Sequence, residues 1–463
     1  MKYKYTLIFL YLFIIFFKKT NSLSTLKIKF KKYISPSLPK DNYILSNYNN
    51  NIYISFKIGN PHQNTEKIFL KSDTYEFMIA NKTLDKNNFN YTESQTCKIS
   101  TFPRYYQLKY TYKAQVLKDH FYLDNTEKNN KLIELQNITF LYASKITYKQ
   151  YTAVLGLKLD EEGVMKVKTF PEQLTELKYL KDSNWMIKYT SEDNGYFYIG
   201  EILNNEIFLK YNKEEFRKTN AIISGRYLSW DLIFSQIESN GIKLNGPMQA
   251  NLDFNFGLIS VSSEYYNSIK NNFFKEYIDK GECQELIYNY TSEENIEDIK
   301  SIFKYIVCKK NFKMKKFPEI SFYHTELDFV FELNYEDVFS KYNGKIYFLC
   351  INEVNNNENW VFGKPFFKKY NIIFDQSAKT IGFYGKTKYK MNWIVIEWII
   401  VVMLFFIFII LAYTLFRRYR LNHYKSFEKK IKVDELNDSF NGDYQKQINF
   451  NEIKEENKII DDK

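Results

Sequence analysis

WVFGKPFFKKYNIIFDQSAKTIGFYG, residues Trp360–Gly385, carries an apolar triplet closed by glycine, Val361-Phe362-Gly363, and then the short apolar run Asn371–Phe374. The triplet has a match in the other half of the chain, Val154-Leu155-Gly156. In each half a strand leads into a polar turn, and about 80 to 110 residues later two apolar residues and a glycine follow, the mark of a weak internal repeat. Between and around these points the chain reads as short alternating apolar runs: Tyr53–Ile58, Leu108–Tyr112, Tyr196–Ile199 and Leu258–Val261. Helical signals are brief, at Glu172–Tyr179 and Tyr265–Tyr277. The expected class is all-β with minor helices, built as two related halves.

At 463 residues the chain is long enough for two sizeable cores. Aromatic residues make up 19% of it, with 40 Tyr and 41 Phe, so a single Tyr carries little weight as a functional signal. The formal charge of +11 comes from scattered lysines with no recognition motif, which argues against a nucleic-acid partner. The four histidines, His62, His120, His324 and His423, have no metal-ligand spacing, so no metal and no cofactor is expected.

The two ends of the chain set its expected location. Lys2 and Lys4 precede the apolar run Thr6–Phe17 and the small polar residues Thr20 and Ser22, the three-part layout of a signal peptide over residues 1–22. Near the other end, residues 393–416 read as one transmembrane helix. Its core, Trp398–Phe416, is apolar, and Trp393, Trp398 and Tyr413 stand at interfacial positions. Arg417, Arg418 and Arg420 follow at once and predict a cytoplasmic tail over 417–463, mixed in charge, with little periodicity and expected to be mostly disordered. The result is a single-pass type I membrane protein with a lumenal or extracellular body, in the secretory pathway, an endolysosomal compartment or the cell surface. The sequons at Asn81, Asn90, Asn137 and Asn289 all fall in that body and are expected to be glycosylated, while the one at Asn437 falls in the tail. Four cysteines, Cys97, Cys283, Cys308 and Cys350, allow three pairings.

Beyond the triplets, several stretches resemble the pepsin-like aspartic protease family. YISFKIGNPHQ (Tyr53–Gln63) is similar to its first-strand motif, and EFMIA (Glu76–Ala80) to the stretch after its first catalytic motif. YTAVLGL (Tyr151–Leu157), FPEISF (Phe317–Phe322) and the Trp360–Gly385 stretch resemble further landmarks in family order. The resemblance covers roughly Asn51–Gly385. It implies a two-lobed fold around a peptide-binding cleft, an N-lobe over 51–222, a C-lobe over 223–388 and a flap from the first lobe. It also implies a Cys308–Cys350 disulfide, with Cys97 and Cys283 left open. Residues 23–50 form a basic region in which Leu26–Tyr33 reads either as prosegment-like or as a lysine-rich strand.

The family's chemistry needs two carboxylates sharing a proton, whose pKa values split into an acid and a base. The second-lobe acid is Asp253, in NLDFNFGLISV (Asn251–Val261). Phe254, Asn255 and Phe256 replace the hydroxyl and glycine residues that follow it in the family, and the two phenylalanines are expected in the cleft. The first-lobe position falls on Lys71, counted back from EFMIA, or on Leu70, counted forward from Gln63. Asp73 is the nearest acid that could stand in. Tyr110 matches the flap tyrosine, but the glycines after it read Thr111, Tyr112, Lys113 and Ala114. Three functions compete on these residues. The favoured one is a pseudoprotease that binds a peptide or protein partner in its cleft, with Lys71 paired to Asp253. The second is an active aspartic endopeptidase using Asp73 and Asp253, and the third is a structural surface glycoprotein.

Overall fold

A computed structural model describes residues 23–34, 43–82, 84, 88–101, 104–105, 109–124, 132–148, 151–159, 167–202, 216–224, 227–291, 300–354, 360–384, 401–422, 424–425 and 429. Residues 1–22, where a signal peptide is expected, Leu108, residues 393–400 and most of the tail, including Asn437, lie outside these. The chain forms two compact units, Met1–Lys386 and Thr387–Lys463.

The first unit is mostly β, in two large curled sheets of 14 and 11 strands. Its strands form where the apolar period is two. In Thr25–Lys32 (TLKIKFKK) Leu26, Ile28 and Phe30 are buried, and Lys29 between them and Lys31 after them are exposed. That strand pairs antiparallel with Asn194–Gly200, placing Ile28 opposite Phe197, and it pairs with Ile52–Ile58 only at Lys31 and Lys32. The lysine-rich segment of the basic region is therefore a sheet strand. The chain end also returns to this first sheet. Ile372–Asp375 pairs with Asn184–Tyr189, setting Phe374 opposite Trp185, and Thr380–Tyr384 pairs with Ile372–Asp375. The second sheet takes its strands from Asp231–Ser239 through Trp360–Phe362.

Aromatic side chains fill the space between the sheets. Trp185 stacks on Phe374 with ring centroids 4.1 Å apart and meets Trp230 edge-on at 6.1 Å. Both indoles satisfy their N–H groups, Trp230 on the Leu157 carbonyl at 2.8 Å and Trp185 on Gln376 at 3.2 Å. Phe254 belongs to this core. It is fully buried, 6.0 Å from Trp185 and 6.2 Å from Phe367. Phe256 packs edge-on against Tyr48 at 5.4 Å, in a second cluster with Ile44 and Phe303. The two phenylalanines expected in the cleft are thus core residues, because turning inward removes their apolar surface from water.

The disulfide differs from the implied one. Cys308 bonds Cys283, and Cys97 and Cys350 are free thiols. The reason is register: Cys283–Thr291 and Lys300–Lys309 pair antiparallel with Cys283 directly opposite Cys308. Cys350 instead opens a strand parallel to Ile259–Ser260, buried opposite Ile259.

In the second unit, Val401–Asn422 is a helix of 22 residues, long and apolar enough to cross a bilayer. At 1.5 Å per residue it spans about 33 Å. It runs past the expected end at Phe416 and carries Arg417, Arg418 and Arg420 on its last turns.

Candidate functional site

Two loops of matching construction meet where the sheets approach each other. In the first, Gln63–Lys71 runs parallel to Ala153–Gly156 with Leu70 opposite Leu155 and Lys71 opposite Gly156. The chain then loops and returns as Phe77–Ala80, antiparallel on the other side of the same strand, with Phe77 opposite Leu155. In the second, Leu252 lies opposite Phe362 in a parallel pair, and Ile259 lies opposite Phe362 in an antiparallel one. The closing hydrogen bonds correspond as well, from Gly156 N–H to Glu76 O at 2.7 Å and from Gly363 N–H to Leu258 O at 3.1 Å. Lys71–Glu76 and Asp253–Leu258 are therefore equivalent loops of equal length. Lys71 is the counterpart of Asp253, and Asp73 is the counterpart of Asn255.

The glycines of the repeated triplets are where the loops press closest. A Cβ on Gly156 would lie 2.3 Å from Thr74 O, and one on Gly363 would lie 2.2 Å from Phe256 O. No side chain fits at either position.

Ser72 and Asn255 join the loops. The Ser72 hydroxyl donates a short hydrogen bond to Asp253 Oδ1, and the Ser72 N–H donates to Asn255 Oδ1 at 2.9 Å. Asn255 Nδ2 donates back to the Leu70 carbonyl at 2.8 Å, and its backbone N–H donates to Asp253 Oδ1 at 2.8 Å. Asn255 does this without a left-handed backbone, since it is not among the positive-φ residues. Neither Ser72 nor Asn255 stands out in the sequence as a site residue. Their only signal is loop position, which becomes readable once the two loops are aligned.

Lys71 is buried, and its Nζ donates to Asn51 Oδ1 at 2.6 Å while lying 4.0 Å from the centre of the Tyr151 ring. Among the described residues the expected Lys71–Asp253 ion pair is not formed: the Lys71 ammonium bonds Asn51, and Asp253 Oδ1 accepts from the Ser72 hydroxyl and the Asn255 N–H. Asp73, counterpart of Asn255, pairs with Lys109 at 2.5 Å and accepts from the Tyr110 hydroxyl at 3.3 Å. Tyr110 is buried, with its ring 5.2 Å from Tyr151, and its backbone N–H donates to Glu76 at 2.9 Å. No hydrogen bond links the Asp73 and Asp253 carboxyls among the described residues.

The electrostatics of the two acids diverge. Burial raises the Asp253 pKa, and the charge of Asp73 adds to the rise; Ser72, the Asn255 N–H and Lys71 oppose it without cancelling it. Burial also opposes ionisation of Asp73, but Lys109 and then Lys71 outweigh it and hold that carboxyl below its ordinary value. Burial pushes the Tyr110 hydroxyl strongly up, so it acts here as a neutral donor.

Of the sequons, Asn137 and Asn289 are exposed, while Asn81 and Asn90 are half-buried. Among the described residues, no group of three His, Cys, Asp or Glu side chains is placed to hold a metal ion. A scan against protein-family models and a search of curated proteins find nothing that matches this chain.

Proposed function

We propose that this chain is a membrane-anchored, pepsin-like pseudoprotease, with two lobes and a cleft that binds an extended peptide or a protein segment without cutting it. The observation that carries this reading is the register pairing Lys71 with Gly156, which makes a lysine the counterpart of Asp253. Water activation by a shared-proton dyad needs a second carboxylate in contact with the first, and an ammonium at that position supplies neither base nor acid of the right kind. The family motifs, the paired glycine triplets and the curled sheets support the fold assignment. The disulfide in the first unit supports a lumenal body, since such bonds persist in oxidising compartments. The arginines that end the Val401–Asn422 helix support a cytoplasmic tail.

An active endopeptidase is the second reading, and one observation favours it: Asp73 and Asp253 are pushed in opposite directions, as in an acid–base pair. Against it, Lys109 and Tyr110 engage Asp73. The test is cleavage of a fluorogenic peptide library by the purified full chain in neutral detergent, between about pH 3 and 6, where a carboxylate dyad works. The expected outcome is no cleavage, with peptides retained at the cleft. Cleavage abolished by both Asp253→Ala and Asp73→Ala would establish the endopeptidase instead.

A further inference from the structure

A crevice of about 550 Å³ lies where the strands Thr25–Lys32 and Ile52–Ile58 part, beyond their short contact at Lys31 and Lys32. Its lining has a strong charge bias among the described residues. Lys29 and Lys31 come from the first strand, Lys57 from the second and Lys67 from Gln63–Lys71, against a single acid, Asp124. Lys29 and Lys31 are two residues apart, so both stand on the same face of their strand, roughly 7 Å from each other. Among the described residues Asp124 pairs with Lys57 alone, at 3.7 Å, an exposed and weak pair. Lys67 lies 5.0 Å from the ring of Tyr33.

An independent feature lies in the same lining. Thr65 is fully buried, yet its hydroxyl has no hydrogen-bond partner among the described residues. A buried hydroxyl without a partner costs free energy that a bound acceptor would recover. Concentrated positive charge together with a hydroxyl donor suits a multiply charged oxyanion, which takes several charge-assisted hydrogen bonds at once. Along their shared strand, Thr65 and Lys71 are six residues apart, about 20 Å, so this crevice is separate from the Asp253 site.

We infer that the crevice is a binding site for a phosphate- or sulfate-type oxyanion, borne either by a soluble ester or by an anionic lipid headgroup. The probe is inorganic pyrophosphate, titrated calorimetrically into the full chain in neutral detergent. Binding is expected with Kd below about 1 mM at ~0.1 M salt, weakening as salt rises. The double change Lys29→Gln/Lys31→Gln weakens it about tenfold or more, and Asp124→Asn tightens it severalfold. Thr65→Val is the decisive variant. It keeps the shape of the side chain and leaves Tm unchanged or higher, yet weakens binding about threefold or more. Competition then separates the sources. Displacement by short-chain phosphatidic acid but not by glycerol phosphate identifies a lipid headgroup, and equal displacement by both identifies a soluble ester. No binding up to about 10 mM, displacement by neither competitor, or an affinity that the lysine pair and Thr65→Val leave unchanged overturns the inference.

Discussion

Ser72 and Asp253 are 181 residues apart in sequence, and the hydroxyl of one donates to the carboxyl of the other. Through that bond and the exchange between Asn255 and the Ser72–Leu70 backbone, the two loops hold each other in position. Loops joined this way keep their shape without a second acid in contact with Asp253. That is what the proposed pseudoprotease requires.

The two acids predict opposite pH effects on stability. Asp253 is pushed above the ordinary carboxylate value of 3.8, so the folded chain holds that proton more tightly than the unfolded chain does. Its ionisation therefore costs stability as pH rises from 3.8 through the folded value, and the cost persists above it. Asp73 is pushed below 3.8, so its contribution is present above 3.8 and is lost as pH falls. Chemical unfolding followed between about pH 4 and 7 should give a decline for the wild type that flattens in Asp253→Asn. Parallel curves for the two proteins would contradict the assigned shift.

Lys71 should be felt by both acids although it bonds to neither. Lys71→Met keeps the apolar stem and removes the charge that lowers each pKa. Carboxyl ¹³C titrations of aspartate-labelled protein should move upward at both Asp73 and Asp253. A shift at one acid alone would mean that the ammonium sits elsewhere.

Gly156→Ala and Gly363→Ala should be severe and similar, at about 3 kcal/mol or more each. Their added methyl groups meet backbone oxygens at 2.3 and 2.2 Å, and a carbonyl in a closed loop cannot give way as a flexible side chain can. Urea unfolding of the two variants measures this. A mild effect at either position would break the equivalence of the loops.

Mass spectrometry of non-reduced peptides should recover Cys283 linked to Cys308, with Cys97 and Cys350 alkylated only as free thiols. Cys283→Ser should cost about 3 kcal/mol, as expected for a cross-link that closes a loop of this size. Cys350→Ala should leave the bond intact.

Much of this architecture is legible locally. Alternating runs such as TLKIKFKK and YISFKI reveal strands because burial follows a period of two, and the apolar stretch before Arg417 reveals a helix long and apolar enough to cross a membrane. The glycine triplets and the aspartate between apolar residues also stand out in the chain itself.

What remained open needed long-range pairing. Counting along the chain leaves Leu70 and Lys71 both eligible, and the parallel register with Ala153–Gly156 selects Lys71. Spacing likewise cannot distinguish Cys350 from Cys283 as the partner of Cys308, whereas strand register does. Phe254 reads as an obstruction in the cleft until the Trp185 core is assembled around it. In each case the sequence by itself determined which residues were available and which local conformation they prefer. Only the tertiary structure decided which residues meet, because a one-residue slip in register turns every side chain to the opposite face and no local pattern records that choice.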